Sequence, residues 1–235
     1  LVATTGTFND AVTVAGNVGI GITTAHKLSI FGTGAGNATV QIEGEGGADP
    51  YINFLANNTQ HWSLGIDDSD SDKFKLSKHS ALGTNDYLTV DVSGNVTKPA
   101  QPAFSAIPAS IQENFAINGS VTIVLGTEVF DIGSNFASNT FTAPVTGKYQ
   151  LNFFMRLSAL DSAAAYYQTS IVTSNRTYLF TFDPDFGQDN VMQSIAYSAL
   201  ADMDASDTAH VTINQGGGTQ QTDIHTETCF SGILA

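Results

Sequence analysis

Between Pro102 and Ala235 no run repeats its apolar residues at a sustained helical spacing. Short alternating runs recur instead, roughly every 8–15 residues, divided by Gly, Asn, Asp and Ser. They read "AFSAI", "VTIVL", "TEVFDIG", "NTFTA", "GKYQLNFFMRLSAL", "AAYYQTSIVT", "TYLFTF", "VMQSIAYSALAD", "TAHVTINQ" and "ETCFSGILA". Successive side chains of a strand face opposite sides, so each run offers one side to a core. The best helix candidate, "SALADMDA", is too short to count. About ten strands without a helix predict a sandwich or jelly roll.

Upstream the pattern differs. "AVTVAGNV" (11–18) and "LTVDVSGNV" (88–96) each place Gly-Asn after alternating Val or Leu. Gly and Asn tolerate positive φ, so a strand, a tight turn and a second strand is the simplest account. The glycines of "VTVAGNVGIG" resemble a phosphate-cradling loop, but that loop needs a following helix. The next residues are β-branched and Gly-rich, so Gly16, Gly19 and Gly21 are turn-makers. Between the copies, "YINFLA", "HWSLGID", "KFKLS" and "YLTV" predict a β-meander. Such short strands bury little apolar area alone, which argues for a multi-chain shaft. The prolines of "TKPAQPAF" cannot sit in a central strand. They divide the chain into a β-rich shaft region (1–97), a linker (98–101) and a jelly roll (102–235).

Charge narrows the function. The 235 residues carry 8 Lys and Arg against 22 Asp and Glu, a net charge of −14. Too few cations exist to build a nucleic-acid face, and an anionic membrane would repel the chain. No apolar run reaches the length of a membrane span. The start lacks a signal peptide and an initiator Met, which suggests a fragment. Cys229 is the single cysteine, so no internal disulfide forms. No nucleophile, zinc-protease or phosphate-loop motif occurs, and the chain is expected not to be an enzyme. The acidic runs "DDSDSD" (67–72) and "DPDFGQD" (183–189) suit solvated turns better than glycan hydrolysis. His225 and Cys229, four apart, are read as a loop His beside a core Cys.

Two strands are apolar on both sides. In "YQLNFFMRL", Tyr149, Leu151, Phe153, Met155 and Leu157 share one face and Phe154 takes the other. "CFSGILA" behaves likewise, with Phe230 and Ile233. A strand needs two apolar faces when one meets the core and the other a neighbouring subunit. The expected subunit interface comprises Tyr149, Leu151, Phe153, Met155, Phe230 and Ile233. Tyr166, Tyr167, Tyr178 and Phe186 form an aromatic group suited to receptor contact.

Two resemblances rest on these residues. "GNVGIG…KLSIFG", "INFLANNTQHWSLGIDDSDSDKFKLS" and "NDYLTVDVSGNV", within 11–97, resemble the β-repeats of bacteriophage tail fibres and tail spikes. "PAFSAI", "FDIGSNF…NTFTAPVTGKYQLNF", "DTAHVTI" and "CFSGILA" resemble the globular head of the complement first component, within the tumour-necrosis-factor-like superfamily. The second implies a ten-stranded jelly roll that trimerises through one sheet. No collagen-like tract precedes it, and the phage-like shaft stands in its place. The resemblance also implies that the 183–189 loop reaches the trimer apex, where calcium binds through Asp183, with Asp185 and Asp189 as weaker candidates; no cofactor is required. The expectation is an all-β homotrimeric virion fibre, on a tail or head. It would attach to a host-surface glycan or protein beside other virion proteins, with no nucleic-acid partner and no membrane insertion. The alternatives are a purely structural trimerising cap of a viral appendage, or a bacterial cell-surface, extracellular adhesin.

Overall fold

The structure is a computed structural model and describes residues 40–57 and 59–235. The "VTVAGNVGIG" turn, and with it the first part of the expected shaft, lies outside the described residues. Packing divides the chain into Leu1–Glu45 and Gly46–Ala235.

The first sheet of the second unit is an antiparallel meander of β1 (Tyr51–Ala56), β2 (Gln60–Asp67), β3 (Lys73–Ser77), β4 (Asp86–Val90) and β5 (Val96–Thr97), adjacent in chain order. The second Gly-Asn copy forms the last hairpin: Asp91 N donates to Asn95 O, and Gly94 turns at φ +86. Register segregates the two faces. Ile52, Leu64, Leu76 and Leu88 form one row, Ile66, Phe74, Val90 and Val96 a second, and Phe54 pairs with Trp62. The opposite face carries Asn53, Ser63, Asp67, Lys75 and Ser77, beneath the loop that follows β3.

Lys75 is the hub of that polar face. Its Nζ lies 2.8 Å from Asp67 Oδ2, 2.6 Å from Asp70 Oδ2 and 3.2 Å from Asp86 Oδ2. The Lys75 and Asp67 side chains are 4% and 3% exposed. Burial opposes the Lys75 charge, but the hydrogen bonds its ammonium donates to the three carboxylates outweigh it, and its pKa rises. The same ammonium holds Asp67 below its ordinary value. Asp70, bonded first to Lys73 and then to Lys75, falls to about 2. The "DDSDSD" run is thus partly an ion-pair scaffold, with a 3-10 turn at Asp68–Asp70 that Asp67 caps through Asp70 N.

The remaining strands build the two sheets of a jelly roll. They are β6 (Ala103–Ile107), β7 (Val121–Thr122), β8 (Thr127–Ile132), β9 (Phe136–Ala137), β10 (Thr140–Thr142), β11 (Gly147–Leu160), β12 (Tyr166–Thr173), β13 (Thr177–Phe182), β14 (Asn190–Met203), β15 (Thr208–Gly216), β16 (Asp223–Ile224) and β17 (Cys229–Leu234). One sheet runs β14-β11-β17-β6-β8, with β16 on β11. The other runs β13-β12-β15-β10-β9, with β7 on β15. The helix candidate "SALADMDA" is the end of β14 and the turn after it. Pairing explains why, because Gly147–Leu151 opposes Ala199–Met203 in an unbroken ladder.

Between the sheets an aromatic cluster fixes the core. Phe104 stacks on Phe141 at 4.5 Å and Phe136 at 5.1 Å, and meets Phe230 edge-on at 5.0 Å. A Cβ at Gly232 would come within 2.7 Å of the Phe104 ring and 2.8 Å of Leu151, so only glycine lets β17 approach that closely. In "FDIGSNF", Asp131 accepts from the backbone N–H of Asn135 and Phe136, which sets the turn into β9.

Candidate functional site

The two faces of the β11 sheet settle which side chains can meet another molecule. Tyr149, Leu151, Phe153 and Met155 alternate inward along β11, with Phe230 opposite Phe153 on β17. All five are at most 1% exposed in the single chain. A side chain already removed from water gains nothing at an interface, so the expected role of these five in a trimer contact is corrected: they are core. Burial raises the Tyr149 pKa, and its hydroxyl donates to Val145 O at 2.8 Å. Ile233, the sixth, is 44% exposed and points outward.

The outward face is a different set. Its rungs run Leu200, Gln150, Ile233, Ala103, Ile132, then Ser198, Asn152, Ser231, Ser105, Phe130, then Ala196, Phe154, Cys229. None of these is charged. The Lys148–Asp202 rung lies at one end, and at the other Arg156 Nη1 pairs with Glu227 Oε1 at 3.0 Å. Leu200, Phe130, Ile233 and Phe154 remain 59, 49, 44 and 39% exposed. Around Phe154 the small residues leave a depression of 340 Å³ lined by Asn152, Ala196, Ser198, Cys229 and Ser231. An uncharged, half-apolar band on so acidic a chain has the make-up of a protein contact surface. Sequence reading placed Phe154 correctly on the second face but missed Leu200 and Phe130.

Beside this band the sandwich edge between β13 and β14 is aromatic. Phe180 stacks on Tyr197 at 5.8 Å and Phe182 on Tyr167 at 5.4 Å. Burial pushes the Tyr197 pKa up to about 12. Phe180, Phe182 and Phe186 line a groove of 370 Å³ that reaches Ala196, the residue shared with the outward band. Phe186 is 48% exposed.

The four expected receptor rings do not share a surface. Tyr167 is fully buried, its hydroxyl accepting from Asp161 N and bonding Thr222 Oγ1, so it is a core residue and cannot touch a receptor. Tyr178 is half-buried, with its hydroxyl 3.5 Å from Leu200 O across the edge. Tyr166 is exposed beside Gly216. Phe186 lies in the edge groove.

The acidic loop is likewise divided. Asp189 accepts from Ser162 N and Oγ and from Gln221 Nε2, each at 2.9 Å. Those bonds, the Ser162 N–H foremost, hold its carboxyl below the usual range. Asp183 accepts from Asp185 N at 3.1 Å, as a turn cap. Among the described residues no three His, Cys, Asp or Glu side chains are placed to hold a metal ion. The expected calcium set of Asp183, Asp185 and Asp189 is therefore not assembled within one chain; Asp189 instead ties the β11–β12 turn to the 221 segment. His225 and Cys229 also stand apart, His225 Nε2 on Ser158 Oγ and Cys229 Sγ on Ser105 Oγ.

Comparison with known proteins matches the C1q domain family over residues 103–235, more than half of the chain. Among solved structures, the globular domain of zebrafish complement 1qA protein is similar at 17% identity, covering 57% of this chain and 96% of that one, with a TM-score of 0.42. Murine APRIL at pH 8.0 is similar at 10% identity, covering 57% of this chain and 99% of that one, with a TM-score of 0.43. No curated protein matches.

Proposed function

This chain belongs to the C1q domain family, and from that membership we propose that residues 102–235 act as a homotrimeric, non-enzymatic recognition head working outside the cell. The observation that carries the reading is the uncharged outward band adjoining the aromatic β13–β14 edge. A three-fold ring needs two different surfaces that meet head to tail. The band supplies one, and the edge with Leu179, Phe180 and Phe186 supplies the other. Ile233, Phe154, Phe130 and Leu200 are the interface side chains in this arrangement.

The finer reading is attachment of a virion fibre to a host-surface glycan or protein. Three heads displayed together turn weak contacts into avidity. Tyr166 is the ring left free to touch such a receptor, because Phe186 lies in the edge groove that the three-fold contact covers. A second reading, a cap that only registers a trimeric appendage, is favoured by the burial of Tyr167 and the half-burial of Tyr178.

Light scattering on the full chain and on Leu200→Asp tests the assembly, with trimer expected for the first and monomer for the second. Fluorescent full-length protein then separates the two readings. Staining of host cells that falls about 10²–10⁴-fold in the monomeric variant supports attachment. A stable trimer that stains no cell leaves the cap.

A further inference from the structure

The sheet β1–β5 is a single layer whose two faces are treated differently by the chain. The loop after β3 folds over the polar face, where Lys75 and Leu82 become buried. The other face bears only apolar side chains among its three rows, yet Phe54, Val96, Ile52, Ile66 and Phe74 remain 55, 59, 44, 40 and 40% exposed. Together they leave on the order of 500 Å² of apolar surface, at the upper end of the patches monomers carry. A lone sheet open on its greasy side is marginal in water.

We propose that this face is covered by the same face of two further copies, forming a three-sheet apolar prism below the trimeric head. The inference rests on the head's trimeric assembly. Three observations choose this occupant. The face offers no charge in its rows, and its one polar group there is the Trp62 indole N–H, so a glycan or a charged protein finds little to engage, whereas identical apolar faces satisfy one another. Asp67, Asp70, Lys73, Lys75 and Asp86 all lie away from it, so meeting face to face turns the charge of each strongly acidic copy toward solvent. Residues 98–102 join β5 to β6 and span at most about 18 Å. Once three heads assemble, the sheets are held at an effective concentration in the millimolar range, roughly that of a short tether.

The test uses the full chain with p-benzoylphenylalanine in place of Phe54, irradiated and resolved on a denaturing gel, together with acrylamide quenching of Trp62, the single tryptophan. Dimer- and trimer-sized products whose joined peptides both come from residues 46–97, with Trp62 shielded, are expected. Phe54→Asp with Phe74→Asp should lose the shielding of Trp62 while the head keeps its trimeric mass. A monomer-sized product joined to a peptide from residues 1–39 overturns the proposal and makes the chain's own N-terminal segment the cover. Absence of cross-links with Trp62 freely quenched overturns it as an open face. A monomeric mass for the unmodified chain locates the failure in the head; a trimeric mass with products of monomer size sinks the prism alone.

Discussion

Replacing Lys75 with Met isolates the electrostatics of the small sheet. The substitution keeps most of the stem volume and removes an ammonium that lies 2.8 Å from buried Asp67 and 3.2 Å from Asp86, which is 16% exposed. Removing one partner of a buried pair costs about 3–5 kcal/mol, because the other charge stays desolvated. Only Asp67 is fully buried, and solvent-exposed Asp70 is given no share, so the expected loss is about 3 kcal/mol, near the low end of that range. The pH dependence gives an independent sign. In the parent, Asp67 and Asp70 titrate below their ordinary 3.8, so their contribution is complete above that pH and drains as pH falls, for Asp70 toward about 2. Lys75 titrates above 10.5, so its contribution is complete below that pH and drains as pH rises from there toward its raised folded value. Without the ammonium, three crowded carboxylates favour protonation, and Lys75→Met should gain stability on acidification from neutral toward pH 4, where the parent is flat. Trp62 sits in the same sheet, so its fluorescence in a urea titration reports this unit. A midpoint within about 0.5 kcal/mol of the parent, or one that falls on acidification, refutes the reasoning.

Gly232→Ala should destabilise the jelly roll by about 2 kcal/mol through overpacking against Phe104 and Leu151, read as a lowered melting temperature by circular dichroism. Tyr149→Phe removes one hydroxyl bond to Val145 O and should cost about 1 kcal/mol in the same measurement; an unchanged melt would show that bond to be worthless. Asp189→Ala strips the acceptor from Ser162 and Gln221 and should lower the melting temperature and speed proteolysis near residue 162. Chelator should leave the parent's melting temperature where it was, and a drop would reveal a cation held between copies rather than within one.

The sequence located strands well because alternation and turn residues act locally. "YINFLA" coincides with β1, and β3, β11 and β13 begin and end where their alternation does. Facing was harder. In β11 both sides carry aromatic residues, Tyr149 and Phe153 against Phe154, and only the ladder with β14 and β17 shows which side the second sheet covers. "VTIVL" forms strand only at Val121–Thr122, yet Ile123 and Leu125 are buried. Ile123 N still donates to Val211 O, but beyond it side chains replace the ladder: Gln112 Oε1 takes the N–H of Val124 and Asn139 Oδ1 that of Leu125. Partners so distant in sequence leave no local pattern. The adjacent rings Tyr166 and Tyr167 read alike as an aromatic pair, while the period of two sends one out and the other into the core. Asp189 was legible as an oxygen donor but not as the tie to Ser162 and Gln221.

The position of β17 governs how this chain comes into being. Cys229–Leu234 lies between β11 and β6, and β6 is more than 120 residues earlier. During synthesis those two strands have no common neighbour until residue 234 emerges, so the head closes in one late step rather than by gradual accretion. A chain cut short before Cys229 has two unpaired edges in the middle of its principal sheet, a template for aggregation. Folding of the head by this topology is all-or-none: its principal sheet closes only once β17 has taken its place between β11 and β6.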